Sequence, residues 1–143
     1  MGWTLLIFLL YAIPASKIDI KQKRLPDVFT LPGGAVLLLI TFVTERAFLP
    51  EALLAALLLP LFLLIIKRVS KGLGEGDIKF SISIGVLCGL IGSYIALAIA
   101  SLTALLFFAV LFKFKKIDLR TRIPFGPFLT GGAILAKIVV SLW

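Results

Sequence analysis

Four carboxylates, Asp19, Asp27, Glu75 and Asp77, stand at or near the ends of long apolar stretches, where an ionised side chain is costly to keep. The chain holds no histidine. That removes Ser-His-Asp and Cys-His catalysis, His-ligated zinc and an imidazole base near neutral pH. The single cysteine, Cys88, lies within an apolar run, so a disulfide framework or thiolate cluster is excluded, and no metal or cofactor is expected. Acid–base chemistry falls to seven Asp and Glu, fifteen Lys and Arg, two tyrosines, or water. Two carboxylates in one partly desolvated site cannot both ionise, so one keeps its proton. The ionised member can take a proton from water while its partner protonates or hydrogen-bonds a substrate carbonyl. Such a pair hydrolyses an amide without histidine, metal or a nucleophilic side chain.

Local sequence sorts the four carboxylates without selecting a pair. In GLGEGDIK (72–79), Gly74 and Gly76 flank Glu75, and Gly76 directly precedes Asp77. Glycines there let the backbone approach a substrate or a neighbouring helix. The segment reads equally well as a loop with Asp77 as a helix N-cap. Asp27, between Pro26 and an apolar run, reads first as a cap. Asp19, in SKIDIKQKR (16–24), reads either as a site residue or as a solvated loop charge. Glu45 and Glu51 share a short loop with Arg46 and read as solvated, and Asp118, among Lys115, Lys116, Arg120 and Arg122, reads as an ion-pair partner.

The elements that must carry these residues are apolar. The sequence is 61% hydrophobic with a mean hydropathy of +1.17, above the range of soluble domains. Apolar stretches at 2–15, 28–44, 52–66, 80–92, 93–112 and 125–143 predict an all-α polytopic membrane protein. About six transmembrane helices are expected, in a single domain over residues 1–143. A crossing needs about 20 residues, so Lys and Arg should snorkel at the ends of the shorter ones. Residues 78–112 are too many for one crossing, and Gly89 and Gly92, followed by Ser93, offer a turn. Pro26 and Pro32 mark the start of the second helix and Pro124 and Pro127 that of the sixth. Pro60, inside the third stretch, predicts a kink, and Gly33-Gly34 and Gly131-Gly132 predict close helix packing.

Charge orients these helices. Loops 16–27, 67–79 and 113–124 hold thirteen of the fifteen Lys and Arg, the opposite loops hold only Arg46, and Lys137 lies in the last stretch. This asymmetry places the basic loops in the cytoplasm and both termini on the extracytoplasmic side. It accounts for the net charge of +8 through topology and membrane lipid, with no nucleic acid involved. Asp19 and Asp77 are 58 residues apart, yet the two crossings between them return both to one face. Asp27 and Glu75 meet the same condition, so the choice stays open at this level.

Three segments taken in order, DIKQKRLPDVFTLP (19–32), GEGDIK (74–79) and IPFGPFLTGG (123–132), resemble the signature segments of the type IV prepilin peptidases. These are multispan aspartic proteases of bacterial and archaeal membranes, and the resemblance covers essentially the whole chain. It implies that Asp19 and Asp77 are the two catalytic aspartates, the second in a Gly-x-Gly-Asp motif. It implies removal of the short basic leader of prepilins and pseudopilins, after a glycine and just before the apolar pilin helix. The site would face the cytoplasm at the inner membrane of a prokaryote. Lys79 is expected to tune a nearby carboxylate or bind substrate, and Glu75 and Asp27 to attract the basic leader. Pro124, Phe125, Gly126 and Pro127 are expected to shape the wall beside the pair.

The sequence departs from that family in one respect. Many bacterial members carry an N-terminal extension with paired Cys-x-x-Cys motifs and also methylate the new N-terminus. This chain begins in a span and has one cysteine, so a protease without methyltransferase activity is expected. Preflagellin peptidases share the Gly-x-Gly-Asp pattern and form the alternative within the class. Outside it stand a proton- or ion-coupled transporter, which would want charges near the midplane, and a non-enzymatic pilus or secretion assembly subunit.

Overall fold

A chain this apolar must close its backbone hydrogen bonds within itself, and helices do so segment by segment. The computed structural model describes residues 2–23, 25, 27–70, 73–114 and 124–143, and among them the regular structure is all helical. The helices are α1 (Gly2–Gln22), α2 (Asp27–Thr44), α3 (Leu49–Ser70), α4 (Glu75–Lys113) and α5 (Gly126–Ser141). The first four are long and apolar enough to cross a membrane, and α5 is shorter at 16 residues. Pro26, Asp118 and the loop cations Arg24, Lys71, Lys115, Lys116, Arg120 and Arg122 lie outside the described residues.

The bundle turns its grease outward. Leu10, Leu39, Leu57, Val69, Ile91 and Leu105 are exposed, whereas Thr4, Ser16, Thr30, Thr41, Ser83, Thr130 and Lys137 are buried. That inversion suits a lipid surround. The seams are lined by small side chains: Ala12 and Ala15 on α1, Ala52 and Ala55 on α3, Ala96 and Ala100 on α4, Ala133 and Ala136 on α5. Helices held by such seams approach closely and gain their attraction from van der Waals contact. Gly33 lies against the Tyr11 ring, Gly34 against Ser83 and Gly132 against Ala96, as the paired glycines predict, but Gly131 faces open space.

The long apolar run forms α4, 39 residues broken at Gly89 (φ 71°, ψ −170°), a left-handed conformation that glycine adopts without strain. The turn expected at Gly89 and Gly92 thus falls at Gly89 alone. Before the break, the Cys88 thiol reaches Ala133 O and Lys137 donates to Leu87 O. After it, Gly92 meets Val140, Gly132 meets Ala96 and Ala100, and Phe107 packs on Phe128 with centroids 5.5 Å apart. Along the arm after Gly89 residue numbers rise as those of α5 fall, whereas along the arm before it both rise together, from Gly76 and Gly126 at Leu25 to Leu87 and Lys137, so the chain reverses at Gly89. The first arm, α4a (75–88), is about 21 Å long and the second, α4b (90–113), about 36 Å.

Three local expectations change. Helix α1 runs on to Gln22 and α4 begins at Glu75, so Asp19, Glu75 and Asp77 are helical residues rather than loop charges. Pro32 sits inside α2, past the first turn. Helix α3 carries Pro60 without a break.

Candidate active site

Asp19 owes its position to a helical stripe. Thr4, Phe8, Ala12, Ala15, Ser16 and Asp19 are the buried residues of α1, spaced by three or four along one face. The same spacing that packs the apolar part of α1 therefore carries the carboxylate inward, to 3% exposure. Its Oδ2 accepts a hydrogen bond of 2.8 Å from the backbone N–H of Gly126, the first residue of α5. Helix N-termini leave such amides without intrahelical partners, and their dipole favours a carboxylate. A Cβ at Gly126 would sit 2.7 Å from that oxygen and 3.0 Å from Leu25 Cδ2. One turn further in, the Ser16 and Thr130 hydroxyls share a 2.8 Å hydrogen bond, and Thr130 also donates to Gly126 O at 3.0 Å. Helices α1 and α5 are thus pinned twice, at Asp19 and a turn behind it.

Asp77 is placed from the other side. Gly74 is the N-cap of α4, so Asp77 occupies the third helical position and is not the cap itself. Its carboxylate lies back against Gly74 at the helix start, where the amide lowers the cost of its charge. It is close enough to Asp19 for the two charges to interact. Gly76 permits that approach: a Cβ there would lie 2.7 Å from Leu25 Cβ and 2.9 Å from Leu25 O. Leu25, buried between Gly76 and Gly126, is the spacer that holds α4a and α5 around the two carboxylates. Behind Asp77, Phe80 closes against Phe8 and Tyr11, with centroids 5.7 and 6.5 Å away, and ties α4a to α1.

The other two carboxylates are brought to the same end but take different partners. Lys79 Nζ donates to Asp27 Oδ2 at 2.6 Å, so the lysine expected beside the pair serves Asp27. Asp27, the first residue of α2, is half-engaged as an ion pair rather than acting as a free cap. Lys67 donates to Glu75 Oε1 at 2.9 Å. Both pairs are largely open to solvent, where such bridges add little to stability. Phe125 is the N-cap of α5 and Pro127 follows Gly126, while Phe125 also lines an apolar cavity of about 330 Å³ with Leu63, Leu73, Tyr94 and Leu97. Pro124 lies just ahead of them, half-buried. Among the described residues no three of His, Cys, Asp and Glu come together as a metal site.

Sequence reasoning missed Leu25, Ser16 and Thr130. The signal for Ser16 was present, since it lies three residues before Asp19 on the same helical face. Seeing it required carrying α1 past Lys17.

Asp19 and Asp77, from segments 58 residues apart, thus come to one end of the bundle, Asp19 held by the Gly126 amide and Asp77 within reach of the Asp19 charge. A family model described as the type IV leader peptidase family matches residues 3–110. A prepilin leader peptidase/N-methyltransferase of Xanthomonas campestris pv. campestris is 31% identical, over 99% of this chain and 50% of the relative. The chain thus spans half the length of that curated relative. No solved structure matches it. With four helices long and apolar enough to cross a bilayer, the chain is a multi-pass membrane protein that belongs to the type IV leader peptidase family.

Proposed function

We propose that the chain is an aspartic endopeptidase that removes the basic leader from prepilins or pseudopilins, with Asp19 and Asp77 as its catalytic pair. The observation that carries this reading is the convergence of the two helix starts on Leu25, with Asp19 held by the Gly126 amide and Asp77 within reach of the Asp19 charge. The pair holds one proton between its members. The ionised carboxylate takes a proton from water as the oxygen attacks the scissile carbonyl, and the protonated one stabilises the developing oxyanion. Collapse then passes a proton to the leaving amine and frees the new N-terminus. Activity needs the singly protonated pair, so it falls in acid, where the base is lost, and in alkali, where the acid is lost.

The thirteen-to-one loop asymmetry places this end of the bundle at the cytoplasmic boundary of a prokaryotic inner membrane. If each arm of α4 and the shorter α5 crosses, with flanking cations reaching the interface, the count is six and both termini are extracytoplasmic, in one domain. Glu75 and Asp27 would bind a basic leader by exchanging their lysine partners, Lys67 and Lys79, for its cations.

Purified protein incubated with a prepilin-type precursor should shorten it by the mass of the leader, in the presence of a chelator as in its absence. Asp27→Asn should retain most activity, since its partner Lys79 is not part of the pair. Ion flux in proteoliposomes with no cleavage would favour the transporter reading instead.

A further inference from the structure

The break at Gly89 exposes backbone groups in an apolar setting that offers them no water. Three elements supply the missing partners. Lys137 Nζ of α5 donates to Leu87 O at 2.7 Å, the Ser93 hydroxyl of α4b donates to Gly89 O, and Glu51 Oε1 of α3 accepts from Leu90 N–H at 3.0 Å. Glu51 is therefore engaged, contrary to its reading as a solvated loop charge. Lys137 is 5% exposed, with its Nζ 5.0 Å from the Phe48 ring centroid. The cationic side chain meets the C-terminal end of α4a and the carboxylate meets the N-terminal end of α4b, as the two helix dipoles favour.

We propose that Lys137 is a positioning residue for the Asp19–Asp77 pair, setting the axial register of α4a against α5. The inference rests on the reading of those aspartates as the reacting pair. Asp77 rides near the start of α4a, with Leu87 ten residues further along the same helix. Gly126, which holds Asp19, starts α5, with Lys137 eleven residues further on. The two rods are matched, each about 15–16 Å from site to corner. Between them the Cys88 thiol makes a weak contact to Ala133 O at 3.5 Å, beside a small side chain. Such a seam lets helices slide. At the site end Leu25 spaces the two helices. The directional bond from Lys137 to Leu87 is what fixes the far end, and through it how far Asp77 stands from the Asp19–Gly126 unit.

The test is Lys137→Met, purified in detergent and assayed on a prepilin-type precursor across pH, with thermal unfolding as the check on fold. A folded variant should lose about 10- to 100-fold in kcat with KM within about twofold. The two limbs of its pH profile should draw together, because weaker repulsion brings the apparent pKa values of the pair closer. An unchanged kcat, or a lost kcat with an unmoved pH profile, overturns the proposal. If Lys137→Met does not fold, Glu51→Ala decides, since it releases the other side of the same corner: the same kcat loss and narrowed profile support the role. Normal kinetics, or a second failure to fold, make the corner a stability element and overturn it. Cleavage by Asp19→Asn or Asp77→Asn would instead sink the underlying reading, whatever Lys137 does.

Discussion

At the residue scale, the site depends on atoms that are missing as much as on those present. Gly126 and Gly76 leave room for Asp19 Oδ2 and for the Leu25 backbone, respectively. Gly126→Ala should therefore displace the Asp19 carboxylate and lower kcat by about 100-fold while the protein still folds, as read by cleavage kinetics beside thermal unfolding. Retained kcat would mean that the Gly126 contact does not position the pair. The sequence alone left four carboxylates equivalent, and local chemistry could not separate a cap from a catalytic acid. What separates them is partnership: Asp27 and Glu75 bind lysines at 2.6 and 2.9 Å, whereas Asp19 takes the Gly126 amide and Asp77 has no lysine partner among the described residues but feels the Asp19 charge. The Asp19–Gly126 and Asp27–Lys79 contacts join helices distant in the chain, so spacing could not disclose them. Likeness to a family singled out the same two residues because it draws on all three segments at once.

At the scale of elements, apolar stretches were legible and helix ends were not. Polar residues at 16–22 looked like a loop, but α1 continues through them because the buried stripe of Ala12, Ala15, Ser16 and Asp19 still has a neighbour to face. The Ser16–Thr130 bond is that neighbour's grip, and it joins α1 to α5 one turn behind the carboxylate. Thr130→Val keeps the shape and removes the hydroxyl, so it should cost about 1 kcal/mol of stability in reversible unfolding and lower activity only modestly. A loss of activity as deep as that of Gly126→Ala, at unchanged stability, would assign Thr130 a direct part in the chemistry. Gly89 was legible as a turn from its place in a run too long for one crossing. The charged groups that complete the turn, Lys137 and Glu51, were not. Lys137 was read only as a charge within the last stretch and Glu51 as solvated, since each acts on backbone far away in sequence.

At the scale of the whole molecule, composition and charge carried most of the information. The hydropathy set the class, and the distribution of Lys and Arg set an orientation. That orientation makes a direct prediction. With buried Cys88 replaced, a cysteine at Arg46 should react with a membrane-impermeant thiol reagent added to intact cells, and one at Lys21 should not. The reverse pattern would place the carboxylate end outside and remove it from a cytoplasmic leader. The molecule then works as a scaffold that brings two helix ends, α1 at Asp19 and α4a at Asp77, around the start of α5.

The central claim is that Asp19 and Asp77 act together on the scissile bond. Its most direct measurement is single-turnover cleavage of a prepilin-type precursor by Asp19→Asn and Asp77→Asn, each shown to be folded. Each variant should lose on the order of 1,000-fold in rate, the scale of a lost general acid or base. Cleavage by either variant at near the unmodified rate would contradict the account.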